Sequence, residues 1–226
     1  MSRAAESGME TSAPAALRAV IFDYGMVLSG PPDPAAKERL CEISGLSAEL
    51  LDTHYWTRRL DYDRGTLSAE EYWHRIAADA GSQLADDTVR ALIEQDILLW
   101  ATVNPLMLDW LDRVRAGGWK VAILSNMGKD LLGHMRRHFL WLDRLDHLTW
   151  SCELSRVKPE PEIYEHTLEK LGVRPEEALF LDDKTENVEG ARRLGMRSLL
   201  FRDARTLQLD LNRHSWAAGL PPVIPE

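Results

Sequence analysis

The sequence predicts an α/β protein: a parallel sheet covered on both faces by helices, with an all-helical insertion after its first strand. Residues 20–22 form a short apolar run of the kind found in a central strand that is buried on both faces. From about residue 104 onward, short apolar strands alternate with amphipathic helices, which indicates crossover connections and a parallel sheet. Between these regions, residues 35–101 show helical periodicity without strand-like alternation.

The first predicted strand leads directly into a carboxylate. Asp23 follows the apolar run, and a stretch of Ser, Gly, Pro and Asp at residues 29–34 has the composition of a turn that ends this first unit. Parallel strands deliver side chains to the crevice at their carboxyl ends, so Asp23 is expected to lie in that crevice. Because an unpaired buried charge is costly, we expect other segments of the chain to supply partners for it.

The insertion is predicted to contain about four helices. Ser47 marks the start of one helix, and Ser68 with Glu71 forms a capping box at the start of another. A further helix is expected over about residues 86–100. These signals divide the chain into a disordered tail at residues 1–16, a core made of residues 17–32 and 102–226, and an insertion at residues 33–101.

The second half of the chain predicts helices and strands in alternation, and glycines end several of the helices. The expected helices cover residues 106–116, 129–139, 160–171, 186–194 and 206–216, and the expected strands cover residues 119–124, 148–150, 178–181 and 197–201.

Composition argues against several classes of function. The chain has 226 residues, enough for one core with a smaller insertion, and its formal net charge of -9 argues against binding to nucleic acid or to an anionic membrane surface. No apolar run reaches the roughly 18 residues that a membrane span needs, and the N-terminal stretch lacks the apolar centre of a secretory signal. Cys41 and Cys152 lie far apart in no metal-ligand spacing, so we expect reduced thiols in a cytoplasmic protein. The pattern predicts nothing about oligomeric state.

Polar side chains fall at the ends of the predicted strands, where an open α/β sheet places its ligand. Carboxylate oxygens are hard ligands, so the acidic residues predict a magnesium site. A hydroxyl and backbone amides at a helix start can bind phosphate oxygens, and a lysine can offset the repulsion between a carboxylate and an incoming dianion. One carboxylate can then act as the nucleophile and form an aspartyl-phosphate. The residues concerned are Asp23, Ser125, Asn126, Lys158, Asp182 and Asp183.

These segments resemble the four ordered motifs of the haloacid dehalogenase (HAD) superfamily. Their order, spacing and strand-end positions agree with that pattern, and the likeness extends from about residue 17 to residue 210. The matching segments are Phe-Asp-Tyr-Gly-Met-Val-Leu at residues 22–28, Leu-Ser-Asn at 124–126, Lys-Pro at 158–159 and Phe-Leu-Asp-Asp-Lys-Thr-Glu-Asn-Val at 180–188.

The resemblance implies a Rossmann-like core in which the insertion at residues 33–101, hereafter the cap, accompanies the active site. It also implies a Mg²⁺-dependent hydrolase, most simply a phosphatase of a small phosphorylated metabolite. In that family pattern Asp23 is both nucleophile and metal ligand. The other implied metal ligands are the Gly25 carbonyl and Asp183, and the implied phosphate or substrate contacts are Ser125, Asn126 and Lys158.

Two further groups of residues keep alternative interpretations. Asp182 and Asn187 are expected to orient the metal site, although Asp182 and Asp183 can exchange roles. Tyr62 and Arg64 lie in a segment that resembles the cap loop turned towards the active site in this branch of the superfamily. Arg58 and Arg59 are further candidates for contact with substrate, and a solvent-exposed cap face accounts for all four residues equally well.

Gly25 marks a departure from the usual phosphatase motif. Phosphatases of this superfamily usually carry a second aspartate at that position, and a general acid and base of this kind is worth about 10²–10⁴-fold in rate. The motif instead resembles the Asp-x-Gly variant near sugar-1-phosphate phosphatases and the phosphatase domains associated with epoxide hydrolases. Two alternatives therefore stay open. One is a 2-haloacid dehalogenase in which Asp23 attacks carbon, and the other is a phosphate-binding or interaction module with weak turnover.

Overall fold

The computed structural model describes residues 15–225, and its strands form one parallel sheet of five strands in the order β3-β2-β1-β4-β5. The central strand β1 pairs with β2 on one side and with β4 on the other. The prediction of a helix-covered parallel sheet is confirmed. The strands are β1 (Ala19–Phe22), β2 (Lys120–Ser125), β3 (His147–Trp150), β4 (Ala178–Asp182) and β5 (Arg197–Leu200).

Eleven α-helices accompany the sheet in the described part of the chain, and five of them belong to the cap. The cap helices are α1 (Pro34–Ser44), α2 (Ala48–Thr57), α3 (Arg59–Arg64), α4 (Ala69–Asp79) and α5 (Asp86–Trp100). The remaining helices are α6 (Pro105–Ala116), α7 (Lys129–His138), α8 (Ser151–Leu154), α9 (Pro161–Leu171), α10 (Thr185–Arg193) and α11 (Ala204–Asn212).

Two predicted elements differ from the structure. The cap has five helices rather than four, because the backbone departs from helical geometry at Arg58, where φ is -109° and ψ is 0°, and this separates α2 from α3. The closing helix ends at Asn212 rather than near residue 216. Extended backbone at His214 interrupts it before a short 3-10 helix at Ser215–Ala217.

Alternate residues of the central strand face opposite sides of the sheet. Val20 and Phe22 pack with α6 and α7 in one apolar cluster, whereas Ala19 and Ile21 pack with α9 in another. All four side chains are fully buried, as expected for a strand covered on both faces. Because these contacts fix β1 from both sides, the next residue, Asp23, has a well-defined position at the end of the strand.

The cap has an apolar cluster of its own, with Tyr72 and Trp73 among its buried members. The predicted capping box is present at the start of α4. The Ser68 hydroxyl accepts the N–H of Glu71 at 3.1 Å, and the Glu71 carboxylate accepts the N–H of Ser68 at 2.9 Å. The cap therefore has an internal packing arrangement separate from the two clusters that cover the sheet.

Two close approaches at glycine bring the cap against the core. Gly65 follows α3, and a Cβ atom at this position would lie 2.9 Å from the carbonyl oxygen of Cys152. At Gly128, just before α7, the ring of Tyr62 occupies the space that a Cβ atom would need. Glycine at these two positions thus allows the cap to approach the core closely.

The two ends of the cap also run beside each other where they join the core. Ser29 and Val103 form an isolated antiparallel bridge, and the N–H of Asp33 donates to the carbonyl of Leu99 at 2.9 Å. Cys41 and Cys152 are free thiols. The predicted disordered tail falls almost entirely outside the described residues. Within residues 15–225, no helix combines the length and apolar composition needed to cross a membrane.

Candidate active site

β1 leads into a tight turn at Tyr24–Leu28, and this turn holds the Asp23 carboxylate. The N–H of Tyr24 donates to Asp23 Oδ1 at 2.7 Å. Within the turn, Met26 has a φ of 60°, a left-handed conformation that is costly for a residue with a side chain. Its N–H donates to Ser29 Oγ at 2.8 Å. The hydrogen bond to Ser29 thus supports an unfavourable conformation three residues after Asp23.

Lys158 is the buried cation that the Asp23 carboxylate requires. Its Nζ lies 2.8 Å from Asp23 Oδ1 and 2.6 Å from Asp182 Oδ2, and it donates to the carbonyl of Leu124 at 3.0 Å. The lysine side chain is almost completely shielded from solvent. All three donor positions of the ammonium therefore have acceptors, which makes burial of this charge tolerable.

Asn126 holds the main chain of Lys158 in place. Its Nδ2 donates to the Lys158 carbonyl at 3.0 Å, and its Oδ1 accepts the Lys158 N–H at 2.8 Å. These two hydrogen bonds join the end of β2 to the segment before α9. Asn126 thus positions the lysine, a role that its motif did not by itself predict.

Ser125 differs in one respect from the sequence prediction. It is the buried last residue of β2, and α7 begins three residues after Asn126, with Gly128 as its N-cap. The hydroxyl therefore does not stand at a helix start. The reason is that parallel pairing with β3 continues to Ser125, which lies opposite Trp150 and keeps the chain extended.

The two acidic residues after β4 have different surroundings. Asp182 is fully buried, and its carboxylate accepts hydrogen bonds from Lys158 Nζ, from the Lys184 N–H at 2.8 Å and from Asn187 Nδ2 at 3.0 Å. Asp183 is half-buried and lines the cavity described below. Asp182 is thus bound to protein groups, whereas Asp183 is accessible to a ligand.

Three carboxylates lie close enough together to hold a metal ion. Asp23, Asp182 and Asp183 each offer an oxygen atom, and these atoms lie within 4.8 Å of one another. Lys158 is the ammonium paired with Asp23 and Asp182, and Lys184 acts on Asp183 from the cavity wall, so three carboxylates outnumber the two lysines and leave negative charge that a divalent cation would offset. Hard oxygen donors of this kind suit Mg²⁺, and the donor set therefore fits the predicted cofactor.

Burial and charge act in opposite directions on the acid and on its lysine partner. Burial raises the pKa of the Asp23 carboxyl to about 7, while Lys158 opposes this rise. Burial also disfavours the charged lysine, but Asp182 and Asp23 outweigh that effect and hold the pKa of Lys158 above its usual range. The ammonium is therefore retained. Ionisation of Asp23 near neutral pH depends on this ammonium and on any cation bound beside the carboxylate.

A cavity of about 460 Å³ lies beside these groups, and residues of the core and the cap line it together. This volume is typical of sites for small molecules. Three of the residues selected from the sequence, Asp182, Tyr62 and Arg64, are not part of its lining. The seven selected residues that the structure brings together around it are Asp23, Gly25, Ser125, Asn126, Lys158, Asp183 and Asn187.

Tyr62 and Arg64 make contacts between cap and core instead. Tyr62 is buried and stacks on Tyr72 with ring centroids 4.7 Å apart, and its hydroxyl donates to Asp130 at 3.2 Å. Arg64 forms a two-point ion pair with Glu160, with nitrogen–oxygen distances of 2.7 and 3.0 Å. Their polar groups are engaged by neighbouring side chains, so this arrangement differs from the predicted contact with substrate.

Other cap residues line the cavity, and of these only Arg59 was a candidate for substrate contact from the sequence. The spacing of Arg59 and Asp63 carried a partial signal, because residues four apart share one face of a helix. Which face meets the cavity depends on how the cap packs against the core, and the spacing does not reveal that. These residues are Trp56, Arg59, Leu60, Asp63 and Trp100.

The two charged members of this set neutralise each other within the cap. Arg59 Nε lies 2.9 Å from Asp63 Oδ1, and Arg59 Nη1 lies 3.2 Å from Asp96 Oδ1. The Tyr55 hydroxyl donates to the same Asp96 oxygen at 2.5 Å and also contacts the Arg59 guanidinium. Burial disfavours the charged guanidinium, but Asp63 leads the groups that outweigh burial, and the pKa of Arg59 stays above its usual range.

Comparison with known proteins agrees with this geometry. The family model for haloacid dehalogenase-like hydrolases matches residues 18–195. The chain is 30% identical over 196 residues to phosphatase MT3486 of Mycobacterium tuberculosis, a match that covers 81% of this chain and 87% of that protein. It is also 27% identical over 220 residues to bifunctional epoxide hydrolase 2 of Sus scrofa, where the match covers 88% of this chain but 39% of the relative.

A likeness to a solved structure supports the fold. A HAD family enzyme from Bacteroides thetaiotaomicron, in complex with magnesium and inorganic phosphate, matches with a TM-score of 0.68 and 21% sequence identity. The match covers 82% of this chain and 94% of that chain. At this identity the likeness shows the shared architecture of sheet and helices.

Proposed function

The chain is an enzyme of the haloacid dehalogenase-like hydrolase family, and from that premise we propose that it is a Mg²⁺-dependent phosphatase of a small phosphorylated metabolite. One observation carries the proposal above the others. The Asp23 carboxylate lines the cavity, is paired with the buried Lys158 ammonium, and has two further carboxylates beside it. A nucleophile, a positive charge for the phosphoryl group and a set of metal donors thus meet in one cavity.

In the proposed reaction, Asp23 attacks the phosphorus atom of the ester. An oxygen–phosphorus bond forms to Asp23 as the ester bond to the leaving oxygen breaks, and the leaving oxygen takes up a proton from water and departs as an alcohol. Water then attacks the phosphorus of the aspartyl-phosphate, which releases inorganic phosphate and restores the carboxylate. Covalent catalysis therefore divides one difficult displacement into two steps.

Charge and hydrogen bonding at the cavity support these steps. Lys158 lowers the repulsion between Asp23 and a phosphate dianion, and Asn126 holds that lysine through its main chain. Ser125 brings a hydroxyl to the cavity for the phosphoryl oxygens. Bound Mg²⁺ would supply a Lewis acid that neutralises charge on the phosphoryl group, held by Asp23, Asp183 and the Gly25 carbonyl.

Asp183 is preferred over Asp182 as the direct metal ligand in this proposal. The Asp182 carboxylate is taken up by Lys158, by Asn187 and by a backbone N–H, whereas Asp183 lines the cavity. Asp182 and Asn187 would then position Lys158 and the acidic cluster. The phosphatase relative from Mycobacterium tuberculosis is consistent with this chemistry.

A phosphate-release assay over a panel of phosphomonoesters, run with and without Mg²⁺, tests the proposal. We expect turnover that EDTA removes, that added Mg²⁺ restores, and that falls to background in Asp23→Asn, because an amide cannot form the phosphoenzyme. Asp143→Asn, an exposed aspartate outside the cavity, is the matched control and should keep its activity.

Two outcomes would replace the proposal with an alternative. Metal-independent halide release from 2-haloacids, without phosphate release from the panel, would identify a dehalogenase. Tight phosphate binding without hydrolysis of any ester would identify a binding module. Full activity of Asp23→Asn would exclude the aspartyl-phosphate.

A further inference from the structure

Outside the acidic cluster, much of the cavity wall consists of apolar side chains. Trp56, Leu60 and Trp100 come from three different helices of the cap, and Leu131 comes from α7 of the core. Met26 adds a further apolar side chain from the turn that follows Asp23. The cavity that contains the proposed nucleophile therefore also offers apolar surface, much of it from the cap.

Few large apolar side chains of this protein are exposed to solvent, and several of those few lie in this cavity. Eight large apolar side chains are exposed in the described part of the chain, and three of them line this one cavity: Trp56 at 48%, Leu60 at 49% and Met26 at 38%. Scattered exposed apolar residues are ordinary, but a group gathered in a concave site indicates a ligand. Leaving these side chains in water is unfavourable unless something apolar covers them.

Polar groups on the cap side of the cavity have little capacity left for a ligand. Arg59 and Asp63 both line the cavity, but they bind each other, and Arg59 also binds Asp96. A ligand rich in hydroxyl groups would meet few free partners there, and its buried hydroxyls would lose hydrogen bonds to water. A hydrocarbon has no such requirement.

Lys184 adds a positive charge between the acidic cluster and the apolar wall. It follows Asp183 in the chain, and its Nζ lies 5.4 Å from the centre of the Trp56 ring. This cation–π contact spans from the core to the cap. An ammonium beside an aromatic ring suits a ligand whose anionic group adjoins an apolar group.

We propose that the organic group of the substrate is an apolar hydrocarbon, so that the enzyme hydrolyses monophosphate esters of apolar alcohols; this inference rests on the proposed phosphatase function. The phosphate lies among Asp23, Ser125 and Lys158, and the hydrocarbon lies against Trp56 and Leu60. Hydrolysis breaks the bond between phosphorus and the ester oxygen. Water supplies the elements that yield inorganic phosphate and the free alcohol.

Binding of non-hydrolysable alkylphosphonates, measured by calorimetry with Mg²⁺ present, tests the hydrocarbon site without requiring turnover. From ethylphosphonate to octylphosphonate, we expect the dissociation constant to fall about threefold to fourfold per added methylene until the apolar wall is covered. A polyhydroxylated phosphonate of matched length should bind more weakly than its alkyl counterpart. Equal affinity along the series, or no binding of the long members, would overturn the inference.

Substitutions in the cap separate a specific site from general hydrophobic adsorption. Trp56→Ala and Leu60→Ala should each reduce the dependence of affinity on chain length. Leu50→Ala is the matched control, because Leu50 is an equally exposed cap leucine, at 46%, that does not line the cavity. Retention of the full chain-length dependence in both cavity variants would contradict the proposed position of the hydrocarbon.

Phosphate release from octyl phosphate is measured separately, so that the two proposals can fail independently. Chain-length-dependent binding of the phosphonates without any phosphate release would support the hydrocarbon site and contradict the phosphatase function. Phosphate release that is indifferent to chain length, with phosphonate affinities equally indifferent, would support the phosphatase and overturn the hydrocarbon site.

Discussion

Gly25 lies two residues after Asp23 and lines the same cavity without bringing a side chain to it. Its φ of -58° and ψ of 129° are accessible to any residue, so the turn does not require glycine at this position. A Cβ atom built there has no neighbouring atom within 4 Å. The backbone at this position therefore accepts a Cβ atom, and neither its conformation nor the space around that atom requires glycine.

We predict that Gly25→Asp raises kcat for alkyl phosphates, because an alkoxide leaving group needs a proton and aspartate can supply one. A well-placed general acid contributes about 10²–10⁴-fold, which is the upper bound for the gain. Aryl phosphates with a good leaving group should gain much less. Steady-state kinetics on the two substrate types measures the difference.

Gly25→Asn is the matched control for that substitution, since it has nearly the same shape and no acidic proton. Equal gains in the aspartate and asparagine variants would show that protonation is not the cause. A loss of activity in both variants would mean that the position tolerates no side chain beside the substrate.

Contacts between whole elements decide how the cap is held. The start of α7 and the end of α3 meet where the Tyr62 ring covers Gly128. Tyr62 is also stacked on Tyr72 and hydrogen-bonded to Asp130, so the ring has little freedom to move away. The fit between these helices therefore depends on the absence of a side chain at one position.

We predict that Gly128→Ala destabilises the protein by about 1–3 kcal/mol, the usual cost of overpacking a buried contact. Gly133→Ala is the matched control within α7, because its Cβ would meet only the flexible end of Arg137, at 3.4 Å. That substitution should stabilise the protein by roughly 0.5–1 kcal/mol through helix propensity. Urea denaturation measures both, and equal stabilities of the two variants would contradict the packing explanation.

The edge strand β3 contains a histidine that binds a proton less readily in the folded protein than in the unfolded chain. His147 lies in β3, and its buried Nε2 has no hydrogen-bond partner among the described residues. Burial lowers the pKa of His147, and the neighbouring His166 and Lys170 lower it further. In the unfolded chain the imidazole binds a proton near its ordinary pKa of about 6.5. The folded state therefore loses stability as the pH falls below about 6.5.

We predict that His147→Gln makes the free energy of unfolding less dependent on pH in this acidic range, because it removes a group that binds protons more tightly in the unfolded state. Urea denaturation at several values between about pH 5 and pH 8 measures the slope. His214→Gln, at an exposed histidine, is the control and should keep the slope of the unmodified protein. An unchanged slope in His147→Gln would assign the pH dependence to other groups.

At the scale of the whole molecule, the three connections between β1 and β4 bring the carboxylates at the ends of these two strands to Lys158, which precedes α9. Burial of this charge cluster is costly, and a cation that binds the folded protein alone would lower that cost. Under the proposed function, catalysis and stability would therefore be linked at the same site. The cap adds one wall of the cavity but none of the three carboxylates.

We predict that Mg²⁺ raises the melting temperature of the protein, since the unfolded chain does not assemble the three carboxylates. A concentration one hundred times the dissociation constant would stabilise the fold by about 2.7 kcal/mol, or several degrees for a chain of this length. Asp183→Asn should lose most of this shift, and Asp143→Asn should retain it. A full shift in Asp183→Asn would assign direct metal binding to the other carboxylates.

Local patterns in the sequence were sufficient for the sheet, for most helix positions and for the motif residues. Apolar runs and helical periodicity depend on neighbouring residues, so β1, the capping box at Ser68 and the order of strands and helices followed from them. Asp23 and Asp183 were selected because each follows a predicted strand, and Lys158 was selected because it precedes a predicted helix; their roles in a reaction stay a prediction. The break at Arg58 was missed because no glycine or proline marks it.

The wall of the cavity was decided by tertiary structure. Tyr62 and Arg64 were reasonable contacts for a substrate, but packing turned them towards the core and turned Trp56 and Leu60 towards the cavity. A one-dimensional pattern identifies which residues share a helical face, yet the face that meets a ligand depends on how two separately packed units fit together. The sequence by itself thus determined which residues form the proposed reaction centre, and the docking of cap on core determined which side chains form the rest of the cavity wall.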